Sequence, residues 1–178
     1  MKKKKKSKDK IRYKNKMIKK ELAKTAETEN IINAAAEKME KRLSEMTGAE
    51  HKIIRNASLV SMSDCLLEFA EPAIDALDKY DDKKEYEKAI IMAIALWNSA
   101  IMQDEGKEDA AKKILDTLIF DEESKNLVEY MLNRKRQMFP DNNRYILDYE
   151  LTVKRRGNYH LTVVSTLNPD NHDEFEKT

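Results

Sequence analysis

Apolar residues recur along the chain with two different periods, and the change between them falls near residue 144. Before it the spacing is that of helices. From Ile18 onward the positions Ile18, Leu22, Thr25, Glu29, Ile32, Ala36, Met39, Leu43 and Met46 follow steps of four and three, which is heptad spacing. With Ile11 at its start, this stripe predicts an amphipathic helix over 11–47, and Thr25 and Glu29 interrupt its seam. No Gly or Pro intervenes until Gly48, the residue type favoured just beyond a helix end. The seam Ile18, Leu22, Ile32, Met39, Leu43 and Met46 is the candidate face for a partner helix or a second copy of the chain.

A second helix is predicted from about Ala49 through Phe69, with Pro72 either kinking it or opening a new helix at its first turn. Asp81-Asp82 suits the start of the next helix, whose acids sit at its positive end. Residues 83–103 are apolar nearly all round, which places that helix at the centre of a bundle. A shorter helix follows Gly106. Asp121 is set to cap the last one, which stops before Pro140. About six helices result.

After residue 144 the period falls to two. Tyr145, Leu147, Tyr149, Leu151 and Val153 alternate with polar neighbours, as do Tyr159, Leu161 and Val163, and two strands of one antiparallel hairpin (144–167) are predicted. Residues opposed across such a pair share a face, so Val153 must stand opposite Tyr159, Leu151 opposite Leu161, and Tyr149 opposite Val163. The loop that remains is Arg155-Arg156-Gly157, with glycine where positive φ is needed. The expected fold class is α+β, predominantly α: a multi-helix array over 48–168 carrying a C-terminal antiparallel hairpin.

Charge changes the picture at one end. The first 20 residues hold twelve Lys or Arg against Asp9 alone, which leaves 22 bases against 32 acids in the rest of a 178-residue chain. The block 1–10 has nothing to bury and is expected to be disordered, as is the acidic tail 169–178. Three basic clusters could meet phosphates: Lys2, Lys3, Lys4, Lys5 and Lys6; Arg134, Lys135 and Arg136 at a helix end; and Lys154, Arg155 and Arg156 at the hairpin tip. Each also has a plainer role as a solubilising or helix-terminating charge.

Candidate chemistry is sparse. Cys65 is the single cysteine, on an apolar helix with no histidine near it in sequence, and reads as a core residue. His51, His160 and His172 lack metal-ligand spacing. Asp148, Glu150 and His160 share the outer face of the hairpin, which suggests a hydrolase or nuclease only if a cleft encloses them. Trp97-Asn98-Ser99 puts polar atoms into the central helix, and these need hydrogen-bond partners. No phosphate-cradling loop or nucleophile motif occurs among so few glycines, and no cofactor is implied. The longest apolar run, 89–102, is too short to span a bilayer, so no membrane is expected and the cytoplasm is the default location.

From Ser58 to Thr166 the chain resembles an uncharacterised helical domain that in bacterial proteins can accompany a C-terminal SEC-C zinc motif. The resemblance lies in LLEFAEP (Leu66–Pro72), ALWN (Ala95–Asn98), FPDNNRYILDYE (Phe139–Glu150) and YHLTVVST (Tyr159–Thr166). The Cys-rich segment is missing, so the resemblance implies no zinc and carries over no active-site residue. It implies an accessory or interaction domain. The functional expectation is a non-catalytic module that binds a protein partner or self-associates through its amphipathic helix or its hairpin edge. A nucleic-acid-associated protein is the alternative.

Overall fold

The computed structural model describes residues 2–53, 61–77, 82–153 and 159–166, with side chains from Ala23 onward. The chain divides into two units, Met1–His51 and Lys52–Thr178.

The first unit is the helix α1, Lys2–Thr47. It starts nine residues before Ile11, so the lysine block expected to be disordered is helical here. Lysine is a good helix former, and no Gly or Pro breaks the run. At 46 residues the helix is about 69 Å long at the usual rise. Gly48 ends it at φ 71°, donating its N–H to the Ser44 carbonyl at 2.9 Å. Within the C-terminal half Ala35, Met39 and Leu43 are buried, whereas Met46 is 80% exposed.

The second unit is predominantly α with a C-terminal two-stranded antiparallel sheet, as the change of period predicted. Its helices are α2 (Met62–Asp75), α3 (Lys83–Asp104), α4 (Glu108–Leu115) and α5 (Glu122–Met138). Central α3 packs against α2, α4 and α5. The caps follow from sequence. Asp82 accepts from Lys84 N–H, and Asp121 forms a reciprocal capping box with Ser124.

Two expectations between residues 49 and 75 need correction. Residues 49–53 are not helical, residues 54–60 lie outside the described chain, and α2 begins at Met62, where Ser61 Oγ accepts from Asp64 N–H. Pro72 lies inside α2 and does not start a new helix. A proline at this position leaves the Glu68 carbonyl without its helical donor. Arg134 of α5 supplies the replacement at 2.9 Å. Five helices are therefore seen among the described residues rather than about six.

The core is centred on Trp97. Its ring meets Phe69 edge-on at 5.4 Å and Phe139 at 5.3 Å, and its Nε1–H donates to the Arg144 carbonyl at 3.0 Å. Leu66, Ile90, Leu96, Met131, Leu151 and Leu161 complete it. A buried Trp with its N–H satisfied contributes large apolar area at no polar cost.

The hairpin is β1 (Ile146–Val153) paired with β2 (Tyr159–Ser165). The pairs Val153↔Tyr159, Leu151↔Leu161 and Tyr149↔Val163 stand in the expected register. The turn with Arg155, Arg156 and Gly157 lies outside the described residues. One difference is a bulge between Ile146 and Asp148. A bulge adds a residue and reverses which side chains face inward. Ile146 is therefore buried, and Leu147, expected on the inner face, is 49% exposed.

Candidate functional site

The backbone hydrogen bonds of β1 differ between its two ends. At the base, Asn98 of α3 acts as a strand substitute. The Ile146 N–H donates to Asn98 Oδ1 and the Ile146 carbonyl accepts from Asn98 Nδ2, both at 2.9 Å. This is where the polar interruption of the central helix goes. One residue earlier, Tyr145 N–H donates to Thr166 Oγ1, and the Tyr145 hydroxyl donates to Glu105 at 2.7 Å. Lys107 meets the same carboxylate oxygen at 2.6 Å. Hydrogen bonds from Lys107 first and Tyr145 second hold the Glu105 carboxyl below its ordinary range.

On the other edge of the hairpin, Val163 N–H donates to Ser63 Oγ of α2 at 3.1 Å. That bond fixes the direction of every backbone group beyond the bulge. In an antiparallel pair a residue's N–H and C=O point the same way, and the direction alternates along the strand. If Val163 points away from β1, its opposite number Tyr149 points away from β2, and so do Leu151 and Val153. The Tyr149 N–H is taken by the side chain of Asp148 at 2.8 Å. For the outward groups of Leu151 and Val153 no partner is seen among the described residues.

The path of α3 explains why. Asn98 holds the edge of β1 at Ile146, but Tyr86, three turns earlier, stacks on Tyr159 of β2 with ring centroids 4.6 Å apart. The helix thus crosses beneath the hairpin from the edge of β1 at the base to β2 at the tip. On the way Glu87 accepts from the Tyr149 hydroxyl at 3.3 Å. Among the described residues no α3 group hydrogen-bonds the backbone of Leu151 or Val153, on the outer half of the β1 edge. Beside it are exposed apolar groups: Val153 (52%), Leu147 (49%), and Ile91 (50%), which lies on the same α3 stripe as Glu87 and Asn98. Sequence reasoning named the hairpin edge but not these residues. Alternation alone marks Leu147 and Val153 as core, and only the bulge and the helix crossing expose them.

The other candidates are scattered. Arg134, Lys135 and Arg136 do not form a phosphate-facing cluster. Arg134 bonds the Glu68 carbonyl and lies 3.3 Å from Glu71, while Arg136 bonds Asp104 and Gln103. Lys135 is 1% exposed, sits 4.8 Å over the Trp97 ring, and donates to the Phe139 carbonyl at the end of α5. Burial pushes its ammonium below the ordinary lysine range, with Asp104 opposing. These three bases serve the helix packing.

Lys2, Lys3, Lys4, Lys5 and Lys6 all lie on α1. The tip bases Lys154, Arg155 and Arg156 lie outside the described residues. Of the expected seam, Ile18 and Leu22 fall on α1, Ile32 is half-buried, Met39 and Leu43 are buried, and Met46 is exposed. It is not one continuous exposed stripe, because its middle is already buried.

Asp148, Glu150 and His160 alternate on one face of the hairpin, each half-buried, with Glu150 opposite Thr162 and His160 opposite Thr152. Asp148 spends an oxygen on the Tyr149 N–H. Among the described residues no group of three or more His, Cys, Asp or Glu is placed to hold a metal ion. Cys65 is buried, which raises its thiol pKa above the ordinary value and works against thiolate chemistry. No described helix is long and apolar enough to cross a membrane. Phe120, 82% exposed at the corner before α5, is a further apolar group that the periodicity did not single out. Compared with known proteins, the chain matches no family model, no curated protein and no solved structure.

Proposed function

We propose that this chain is a non-catalytic interaction module of the cytoplasm, needing no cofactor, which engages a protein partner through the outer half of the β1 edge. The observation that carries the reading is the unequal treatment of that edge. Unpaired strand edges are templates for another strand, and folded proteins normally cover or charge them. Here Asn98 covers the base, while Leu151 and Val153 present backbone groups outward on a strand whose Leu147 and Val153 side chains are half-exposed. The resemblance to an accessory domain points the same way.

The test is site-specific photo-crosslinking in cells, with the reactive group at Leu147 and, as a control, at exposed Lys112 of α4. A discrete protein adduct at Leu147 that disappears in Val153→Pro, and is missing at Lys112, is expected. Equal labelling at both positions overturns the reading.

A second reading is favoured by the charge partition. Twelve bases against one acid in the first 20 residues, on a helix that runs from Lys2, suit a polyanion such as nucleic acid. Binding of random RNA and duplex DNA over a salt titration tests it, comparing the full chain with one starting at Ile11. Affinity lost at physiological salt in the full chain leaves only a generic polycation effect.

A further inference from the structure

We infer that the occupant of the β1 edge is the β1 strand of a second copy, the two hairpins joining across a two-fold axis into a four-stranded antiparallel sheet. This rests on the interaction reading above and names its partner.

The argument is one of register. Outward-pointing Tyr149, Leu151 and Val153 must face outward-pointing residues of the other strand for backbone groups to meet. Five two-fold registers, centred on each residue from Tyr149 to Val153, bring outward groups together, and those centred on Thr152 and Val153 leave Tyr149 facing past the end of β1. Centring on Tyr149 sets Glu150 against Asp148 of the other copy, and centring on Glu150 sets that acid against itself. Like charges directly opposite destabilise a strand pair. Centring on Leu151 avoids both. It pairs Leu151 with Leu151, Tyr149 with Val153 and Glu150 with Thr152, all within β1.

The chosen register also uses what the edge offers. Each Leu151 N–H reaches the opposite Leu151 carbonyl, and each Val153 N–H reaches the opposite Tyr149 carbonyl, giving four hydrogen bonds. A carbonyl oxygen has two lone pairs, so that of Tyr149 can accept whatever else it holds. Tyr149 N–H stays with Asp148. Val153, half-exposed in one copy, is covered by the aromatic ring of Tyr149 from the other. Two strands alone are marginal in water, and pairing to four strands removes the open edge from both copies. A second copy is also the one partner certain to offer a matching edge at equal concentration.

The experiment uses the full chain. Sedimentation equilibrium is expected to show a monomer–dimer equilibrium that Val153→Pro weakens at least tenfold. That N–H points away from β2, so the proline leaves the hairpin's own ladder intact, which unchanged circular dichroism confirms. Register is read by oxidation of cysteine variants. An equal mixture of Glu150→Cys and Thr152→Cys chains is expected to cross-link, and neither variant alone. Cross-linking of Glu150→Cys by itself overturns the register. A monomer at hundreds of micromolar, or a dimer indifferent to Val153→Pro, overturns the self-pairing. A Leu147 adduct to a different protein, from a chain that sediments as a monomer, sinks this inference but leaves the interaction reading standing.

Discussion

The two ends of β1 carry the same kind of backbone and meet opposite fates. At Ile146 both outward groups are taken by a single Asn98 side chain, at 2.9 Å each, and the strand is locked to the central helix. At Leu151 and Val153 no partner for the outward groups is seen among the described residues, and α3 there stacks Tyr86 on Tyr159 of β2. A strand edge is therefore not uniformly open or closed. The path of the helix beneath it decides, and at the closed end Asn98 ties β1 to the fold.

The sharpest way to break this contrast is Asn98→Leu. It keeps roughly the volume and leaves two backbone groups of Ile146 without partners, each orphan costing about 1–3 kcal/mol, so a loss of about 3 kcal/mol is expected in urea unfolding. Val153→Pro at the other end should change unfolding of the monomer by less than about 0.5 kcal/mol, the range of an exposed substitution. If the two variants lose similar stability, both ends of the strand are held by the fold and the contrast is wrong.

A smaller loss is expected where a side chain replaces a helical donor. Arg134→Met strands the Glu68 carbonyl freed by Pro72 and should cost about 1–2 kcal/mol. Restoring the donor inside α2 with Pro72→Ala in the same chain should recover most of that. A double-mutant cycle measures the coupling, and additivity of the two changes would show that Arg134 does not act through this carbonyl.

How far these features are legible in the sequence depends on the range of the interaction. Helix starts at Asp82 and Asp121 and the stop at Gly48 are set within four residues and can be read directly. The hairpin register follows from alternation together with a short turn, since pairing by face alone leaves registers two residues apart. Asn98 could be recognised as needing partners but not matched to Ile146, 48 residues away. Arg134 looked like the basic end of a helix because its partner is 66 residues distant. The bulge at Leu147 is silent because Ile146 and Leu147 are both apolar and either can face inward. The helix expected from Ala49 through Phe69 starts only at Met62, because apolar spacing from Ile53 onward permits a helix without requiring one. The open edge depends on the path of the helix beneath it, which no local pattern encodes.

A finer test concerns Ser63, whose hydroxyl receives Val163 N–H on the β2 side. Ser63→Ala removes one neutral hydrogen bond at a half-buried site, and about 1 kcal/mol is expected. Because β2 still packs against α2, this edge should stay closed in the variant. Hydrogen exchange at Val163 should rise, while the sedimentation behaviour stays that of the parent. A change in self-association would mean that β2, not β1, supplies the sheet edge.

The smallest effect is a change of slope with pH at the base of the fold. Lys135 lies against Trp97, whose N–H holds the Arg144 carbonyl two residues before β1 begins. Burial lowers its pKa in the folded chain below the ordinary value of 10.5. Between those two values the unfolded chain binds more protons than the folded one, so stability contributed by this group rises with pH across that window. Below the folded pKa the full cost of burying the ammonium is present. In Lys135→Met that cost is gone, along with the bond to the Phe139 carbonyl. The stability of the parent minus that of the variant should therefore increase from neutral pH to about pH 10, just under the ordinary lysine value. Tyr86 and Tyr145, whose pKa values burial raises, run the other way in this range. They are common to both chains and cancel in the difference. A difference that stays flat would mean that the ring of Trp97 and the Phe139 carbonyl fully replace water around the ammonium.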